Sequence, residues 1–214
     1  MFTVCSGLVR TFIMLNQHSF EVLSLGCRSG VSLPRIQLQP MADLLLISGS
    51  PRIASNTQKV TDFYASLLDS HNVEFTRINV VDFPEDAFGS RPDGEKHPQM
   101  AELVERAVRP SQKMIIISPE YNGSFPGSLK AFIDSSDISA WRGKKVLLTG
   151  VATGRAGNLR GLDHLADILM HCGNTVHPNK LPISAVGKLM DADGMLDETT
   201  REVCGKQLAA FLEF

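Results

Sequence analysis

Residues that could bind an anion follow the first apolar run of the chain. In "SGSPRIASNT" (residues 48–57), hydroxyl, amide and guanidinium donors come from Ser50, Arg52, Ser55, Asn56 and Thr57. A helix beginning here would add its unpaired N–H groups, a combination that suits a phosphate. Neither the GK[ST] ending of a Walker loop nor GxGxxG is present, so the segment predicts a loop that holds a phosphate without transferring it. Alternatively, the Ser, Asn and Thr side chains merely cap the helix.

A second loop offers mainly backbone groups. In "SPEYNGSFPGSLKAFID" (residues 118–134), Pro119 interrupts regular structure and Gly123 permits positive φ. Its exposed N–H and C=O groups suit the edge of a flat heterocycle, with Tyr121 or Phe125 available to pack against the ring. Glu120 as a base with Tyr121 as an acid is one alternative, and a tight turn with a buried Tyr is another. Covalent catalysis is not expected, because the stretch has no partner to activate a nucleophile.

The elements that must position these loops alternate along the chain. Apolar, β-branched runs predict strands at 43–48, 74–80, 113–118, 145–150 and, more weakly, 175–182. Helical spacing appears within 60–68, 100–108, 159–169 and 203–211, with Asp197 as N-cap of the last helix, and a further helix is expected from about Ser128. This alternation predicts an α/β fold, a doubly wound five-stranded parallel sheet with helices on both faces. Ligands of such a sheet bind beyond the carboxyl ends of its strands, where both loops lie.

Composition limits the partners. The 214 residues are 43% hydrophobic with a formal net charge of -2, which offers no general attraction for nucleic acid or an anionic membrane. We therefore expect small-molecule partners, no nucleic acid and no membrane. The four cysteines form no CxxC pair, which fits a reducing compartment and predicts a cytoplasmic protein. No metal is expected, because the His and Cys residues between 164 and 177 lack a tight ligand spacing.

The composition and periodicity of residues 1–40 do not indicate a folded segment. They contain Arg10, Arg28 and Arg35 against the single acid Glu21, and no helical or strand period is sustained. This composition matches a transit peptide, but an unstructured extension, or a translation start assigned upstream of Met41, explains it more simply. The predicted domain therefore comprises residues 41–214.

The two loops together resemble the NAD(P)H-dependent FMN reductase family of the flavodoxin-like fold, which includes chromate, quinone and azo-dye reductases. The resemblance covers residues 42–214, and "GVATGRAGNLRGLDHL" (150–165) is similar to the family's third loop. It implies that the FMN phosphate is bound by Ser50, Arg52, Ser55, Asn56 and Thr57. It further implies that the isoalloxazine is lined by Pro119, Glu120, Tyr121, Asn122 and Gly123, and closed on its pyrimidine side by Thr153, Gly154 and Gly157.

The resemblance also implies an activity. NADPH or NADH would pass a hydride to bound FMN and then give way to a small acceptor (a flavin, a quinone, chromate or an azo compound), which predicts ping-pong kinetics and a homodimer or homotetramer. The flavin would do the chemistry, so no catalytic side chain is assigned. Two departures from the family pattern stand out: residues 131–135 read AFIDS where Asn-Ala-Ile-Asp-Trp is common, and Asn158 replaces the second glycine of a pair. The alternatives are a flavodoxin-type electron carrier, typically more acidic than this chain, and an interaction protein that has lost the cofactor.

Overall fold

A computed structural model describes residues 42–89 and 95–214. The predicted extension at 1–40, Met41 and residues 90–94 lie outside the described residues. The strands are β1 (Leu44–Ser48), β2 (Phe75–Asn79), β3 (Lys113–Pro119), β4 (Lys145–Val151), β5 (Thr175–Val176) and β6 (Leu181–Ile183). The α-helices are α1 (Asn56–Ser70), α2 (Pro98–Leu103), α3 (Gly127–Ser135), α4 (Leu159–His171) and α5 (Glu198–Glu213), and α2 continues into a π-helical turn, Val104–Val108.

All of these strands pair in parallel. The order is β2-β1-β3-β4, with β5 and β6 both hydrogen-bonded to the free edge of β4. The strand order reverses beside β1, as it does in flavodoxin-like sheets. The predicted doubly wound α/β fold is therefore confirmed, and the switch point falls at the carboxyl end of β1, where the first polar loop begins.

Both faces of the sheet are covered. Alternate side chains such as Leu45 and Ile47 point into one apolar layer shared with α2, α3 and α4, whereas Leu44 and Leu46 point into a second layer shared with α1 and α5. Every residue of β1 is buried, which explains why the central strands read as continuous apolar runs rather than alternating ones. Trp141 is fully buried and packs edge-on against Phe132, with ring centroids 5.5 Å apart.

The weakly predicted strand at 175–182 differs from expectation, since it is split into β5 and β6. Val176 opposes Val146, whereas Leu181 opposes Thr149, so this edge strand contains two more residues than the β4 segment beside it. Pro178 lies in the interruption, where it cannot donate a backbone hydrogen bond to the ladder. The Gln207 side-chain amide of α5 donates to the carbonyl of Asn179 at 2.8 Å.

Gln207 belongs to a polar cluster inside the apolar layer between α1, α5 and the sheet. The Thr149 hydroxyl lies 3.0 Å from Gln207 Oε1 and 3.1 Å from the Tyr64 hydroxyl, which itself donates to Gln207. All three residues are fully buried, and burial raises the pKa of Tyr64 well above its usual range. The cluster fixes the register of α5 because a slipped helix would leave buried polar groups unpaired.

Candidate functional site

A cleft of about 370 Å³ opens at the carboxyl ends of β1, β3 and β4. Three loops form its walls, one after each of these strands. Its lining residues are Ser50, Arg52, Ser55, Asn56, Thr57, Pro119, Glu120, Tyr121, Asn122, Gly123, Val151, Ala152, Thr153, Gly154 and Val186. The structure thus brings together twelve of the thirteen residues that the sequence singled out, from segments up to a hundred residues apart, and leaves out Gly157.

The first loop is anchored at both ends. The Gly49 N–H donates to the carbonyl of Ile117 on β3 at 2.8 Å, and a Cβ on Gly49 would lie 3.1 Å from that oxygen. The buried Ser50 hydroxyl accepts the Arg52 N–H at 3.2 Å. At the far end, Ser55 is the N-cap of α1 and accepts the Gln58 N–H at 3.1 Å. The helix-capping alternative therefore holds for Ser55, while the N–H groups at the start of α1 remain directed into the loop.

Arg52 connects the first loop to the second. Its guanidinium carbon lies 4.9 Å from the centre of the Tyr121 ring, which is cation–π distance. The Arg52 side chain is exposed and forms no ion pair with any residue in 42–89 or 95–214. The guanidinium therefore keeps its charge available to an anion at the end of the cleft where α1 begins.

The second loop turns sharply between Tyr121 and Ser124. These two residues exchange backbone hydrogen bonds of 2.8 and 3.0 Å, and the residues between them, Asn122 and Gly123, both have positive φ. Positive φ at both central positions is the mark of a type I′ turn, in which asparagine followed by glycine is strongly favoured. The tight-turn alternative is thus correct for the backbone, whereas Tyr121 is half-buried rather than buried. The turn itself forms one wall of the cleft.

Asn158 occupies the position of the second glycine of the third loop. It lies immediately before α4 with φ of 67°, a left-handed conformation that asparagine adopts more easily than other non-glycine residues. Its buried side-chain amide donates to the carbonyls of Ser118 and Pro119, each at 3.0 Å. The third loop is therefore fastened to the start of the second.

We expect Asn158→Gly to lower the free energy of unfolding by about 1–3 kcal/mol. Glycine adopts the left-handed backbone conformation without strain, so the decrease in the free energy of unfolding reports the two buried hydrogen bonds alone. The measurement is urea denaturation followed by circular dichroism. Asn72→Gly is the matched control because Asn72 is exposed with φ of 54° and its side chain bonds to nothing in the described chain; equal effects of the two substitutions would refute the assigned role.

Gly157 has a different position from the other predicted site residues. It is buried with φ of 59°, and a Cβ there would lie 2.8 Å from Pro182 of β6. The glycine thus lets the third loop pack against the edge of the sheet, and it is not among the cleft-lining residues. The sequence motif located the loop correctly but could not show which of its residues faces the cleft.

Three lining residues were missed by the sequence interpretation. Val151 is the last residue of β4 and Ala152 follows it, and a rule that strand ends line ligand sites would have found both. Val186 follows β6, and its N–H donates to the carbonyl of Ala152 at 3.0 Å. No local signal marks Val186, because its place depends on how the interrupted edge strand pairs with β4.

Comparison with known proteins identifies the family. The model of the family described as NADPH-dependent FMN reductase matches residues 42–187. An NAD(P)H-dependent FMN reductase of Pseudomonas aeruginosa is 32% identical over 120 residues, which are 53% of this chain and 64% of that protein. A quinone reductase of Pseudomonas putida is 27% identical over 165 residues, covering 73% of this chain and 85% of that protein.

A solved structure shows the same fold. FerB, a flavoenzyme NAD(P)H:(acceptor) oxidoreductase from Paracoccus denitrificans, superimposes with a TM-score of 0.64 at 24% identity, over 80% of this chain and 96% of FerB. The family match spans all three loops of the cleft. The chain therefore belongs to the NADPH-dependent FMN reductase family, which confirms the predicted enzyme class, the FMN cofactor and the nicotinamide electron donor.

Proposed function

We propose that the cleft binds FMN and that the protein transfers a hydride from NADPH or NADH, through the flavin, to a small acceptor such as a quinone or a free flavin. The observation that carries the proposal is the convergence of a phosphate-type loop and a backbone-rich turn on one cleft, joined by the contact between Arg52 and Tyr121. The FMN reductase and quinone reductase relatives support the acceptor class.

The first loop fits the phosphate of FMN. Ser50, Ser55 and Thr57 carry hydroxyl donors, Arg52 contributes a charged fork, and the N-terminus of the 15-residue α1 adds N–H groups with the favourable end of the helix dipole. No lysine is among the described residues that line the cleft, so this loop binds a phosphate without the group that P-loop enzymes use to transfer one.

The second and third loops fit the ring. The turn at Asn122 and Gly123 presents backbone atoms, and the Tyr121 hydroxyl is buried without a hydrogen-bond partner in the described chain, which leaves a donor beside the cleft. Val151, Ala152 and Val186 supply an apolar floor. A flat heterocycle with polar edges matches this combination of apolar floor and polar rim.

Bound FMN supplies the redox chemistry, and the protein groups hold it and keep one side of the cleft open for donor and acceptor. Because both reactants use the same opening, they bind in turn, and the proposed kinetics are ping-pong. A cysteine nucleophile is not part of this mechanism. Burial raises the pKa of the Cys204 thiol to about 11, and Cys204 lies in the layer between the sheet and α5 rather than at the cleft.

Anaerobic mixing of the FMN-loaded protein with NADPH tests the proposal. We expect the visible absorbance of the oxidised flavin to bleach on mixing, and a quinone added afterwards to restore it. Steady-state rates should then give parallel double-reciprocal lines. If the yellow colour persists with both NADPH and NADH, the electron-carrier alternative is favoured. If the protein does not bind FMN at all, the alternative of an interaction protein that has lost the cofactor is favoured.

The proposal includes a homodimer or homotetramer in the cytoplasm. No helix in the described part of the chain is long and apolar enough to cross a membrane. Cys172 and Cys204 are both free thiols, which suits a reducing compartment. Sedimentation of the purified protein would give the number of subunits.

A further inference from the structure

Arginines without acidic partners are concentrated around the cleft. Among residues 42–89 and 95–214, four arginines form ion pairs: Arg77, Arg106, Arg109 and Arg201. The other four described arginines have no ion pair with any described residue: Arg52, Arg142, Arg155 and Arg160. Arg52 lines the cleft, Arg155 follows the lining residue Gly154, and Arg160 lies at the start of α4. Unpaired guanidinium groups gathered at one cleft attract anions.

Arg160 is placed against the wall of the cleft. Its Nη1 lies only 2.8 Å from the point where a Cβ on Gly123 would stand, so the guanidinium rests on the turn that lines the cleft. The next acid along α4, Asp163, forms an ion pair with Lys180. The glycine at position 123 thus leaves the space that Arg160 fills at the rim.

The position of Arg160 in its helix is electrostatically unfavourable. It lies in the first turn of the 13-residue α4, a turn that contains no acid, where the helix dipole already carries positive charge. Of the cleft-lining residues in 42–89 and 95–214, Glu120 is the one acid. A bound oxyanion would be stabilised by the guanidinium and by the helix end together.

This rim is distinct from the proposed FMN phosphate site. The phosphate loop leads into α1 after β1, whereas Arg160 is the second residue of α4 after β4, and β3 lies between those two strands. Two strand spacings separate β1 from β4 by about 10 Å, and α1 and α4 cover opposite faces of the sheet. A phosphate seated at the start of α1 therefore leaves the start of α4, with Arg160, open to a second anion.

We propose that Arg160 is a specificity-determining residue that binds a phosphate group of the nicotinamide donor. The shared chemistry is a phosphate ester, which the donor offers twice: the 2′-phosphate of NADPH, and the diphosphate common to NADPH and NADH. This inference rests on the proposed function, since it takes the donor to occupy the open side of the same cleft. Arg160 contacts the donor and leaves the retention of FMN to the first loop.

Direct binding to the FMN-loaded, oxidised protein tests the assignment. Isothermal titration would use adenosine 2′,5′-bisphosphate and 5′-AMP as probes on Arg160→Gln, with Arg142→Gln as the matched control. Arg142 is also exposed and lacks an ion pair in the described chain, but it precedes β4 at the opposite end of the strand. We expect Arg160→Gln to weaken the bisphosphate about tenfold or more, and Arg142→Gln to leave it unchanged.

The two probes separate the two phosphates. If Arg160→Gln weakens binding of the bisphosphate alone, Arg160 binds the 2′-phosphate. If it weakens binding of 5′-AMP to the same extent, Arg160 binds the diphosphate. In steady state, the KM for NADPH should rise about tenfold in Arg160→Gln, more than kcat falls. Unchanged affinity for both probes, or an equal loss in Arg142→Gln, would overturn the proposal. A different result would refute the proposed function itself: NADPH and NADH would both fail to bleach the FMN-loaded wild-type protein.

Discussion

An Arg52→Ala variant is expected to bind FMN about ten- to a hundredfold more weakly than the wild type. Arg52 is the charged side chain on the phosphate-type loop, and a charge-assisted hydrogen bond is worth about 1.5–3 kcal/mol, which corresponds to that range of affinity. The variant also loses the contact with the Tyr121 ring, 4.9 Å from the guanidinium carbon, which connects the first two loops. Quenching of FMN fluorescence on titration into the flavin-free protein measures the change.

Riboflavin provides the internal control for this prediction. It has the ring of FMN without the phosphate, so Arg52→Ala should weaken riboflavin binding much less than FMN binding. Arg142→Ala removes an equivalent charge far from the cleft and should leave both affinities as they are. Equal losses for FMN and riboflavin would show that Arg52 acts on the ring loop alone, and would remove it from the phosphate site.

Gly150→Ala is expected to lower the free energy of unfolding by about 3 kcal/mol. A Cβ on this residue of β4 would lie 2.3 Å from the carbonyl oxygen of Gly157 and 3.1 Å from Leu162 of α4. Neither the backbone of the third loop nor the buried side chain of α4 can move without disturbing the cleft or the core. Urea denaturation followed by circular dichroism measures the loss.

Gly205→Ala is the matched control for that substitution. Gly205 lies inside α5, and nothing stands within 4 Å of the place a Cβ would take. Alanine is the better helix former, so this variant should be more stable than the wild type by about 0.5–1 kcal/mol. If Gly150→Ala matched the wild type within about 0.5 kcal/mol, the third loop would not pack on β4 as described.

The sequence predicted the fold because each central strand is apolar along its whole length. Residues such as Leu45 and Leu46 face opposite layers yet are both buried, which only a sheet covered on both sides permits. The positions of the first two loops followed from the topology, since parallel strands end at the same edge. Asp197 caps α5 as predicted, accepting the Thr200 N–H at 2.8 Å.

Features that depend on distant contacts could not be predicted. The interruption between β5 and β6 involves Pro178, but its shape is held by Gln207 on α5, twenty-nine positions further along the chain. Asn158 looked like a departure from a glycine motif, whereas its side chain supplies two bonds to the second loop that glycine could not make. The role of Arg160 became visible only when Asp163, the next acid along α4, was seen to pair with Lys180.

A crystal structure of the FMN complex would show directly whether the cleft binds the flavin as proposed. We expect the phosphate to lie against the start of α1, within about 4 Å of the Arg52 guanidinium, and the isoalloxazine to lie against the turn from Tyr121 to Ser124. A flavin bound elsewhere, or bound in the cleft with its phosphate at the α4 end, would refute the proposed binding mode.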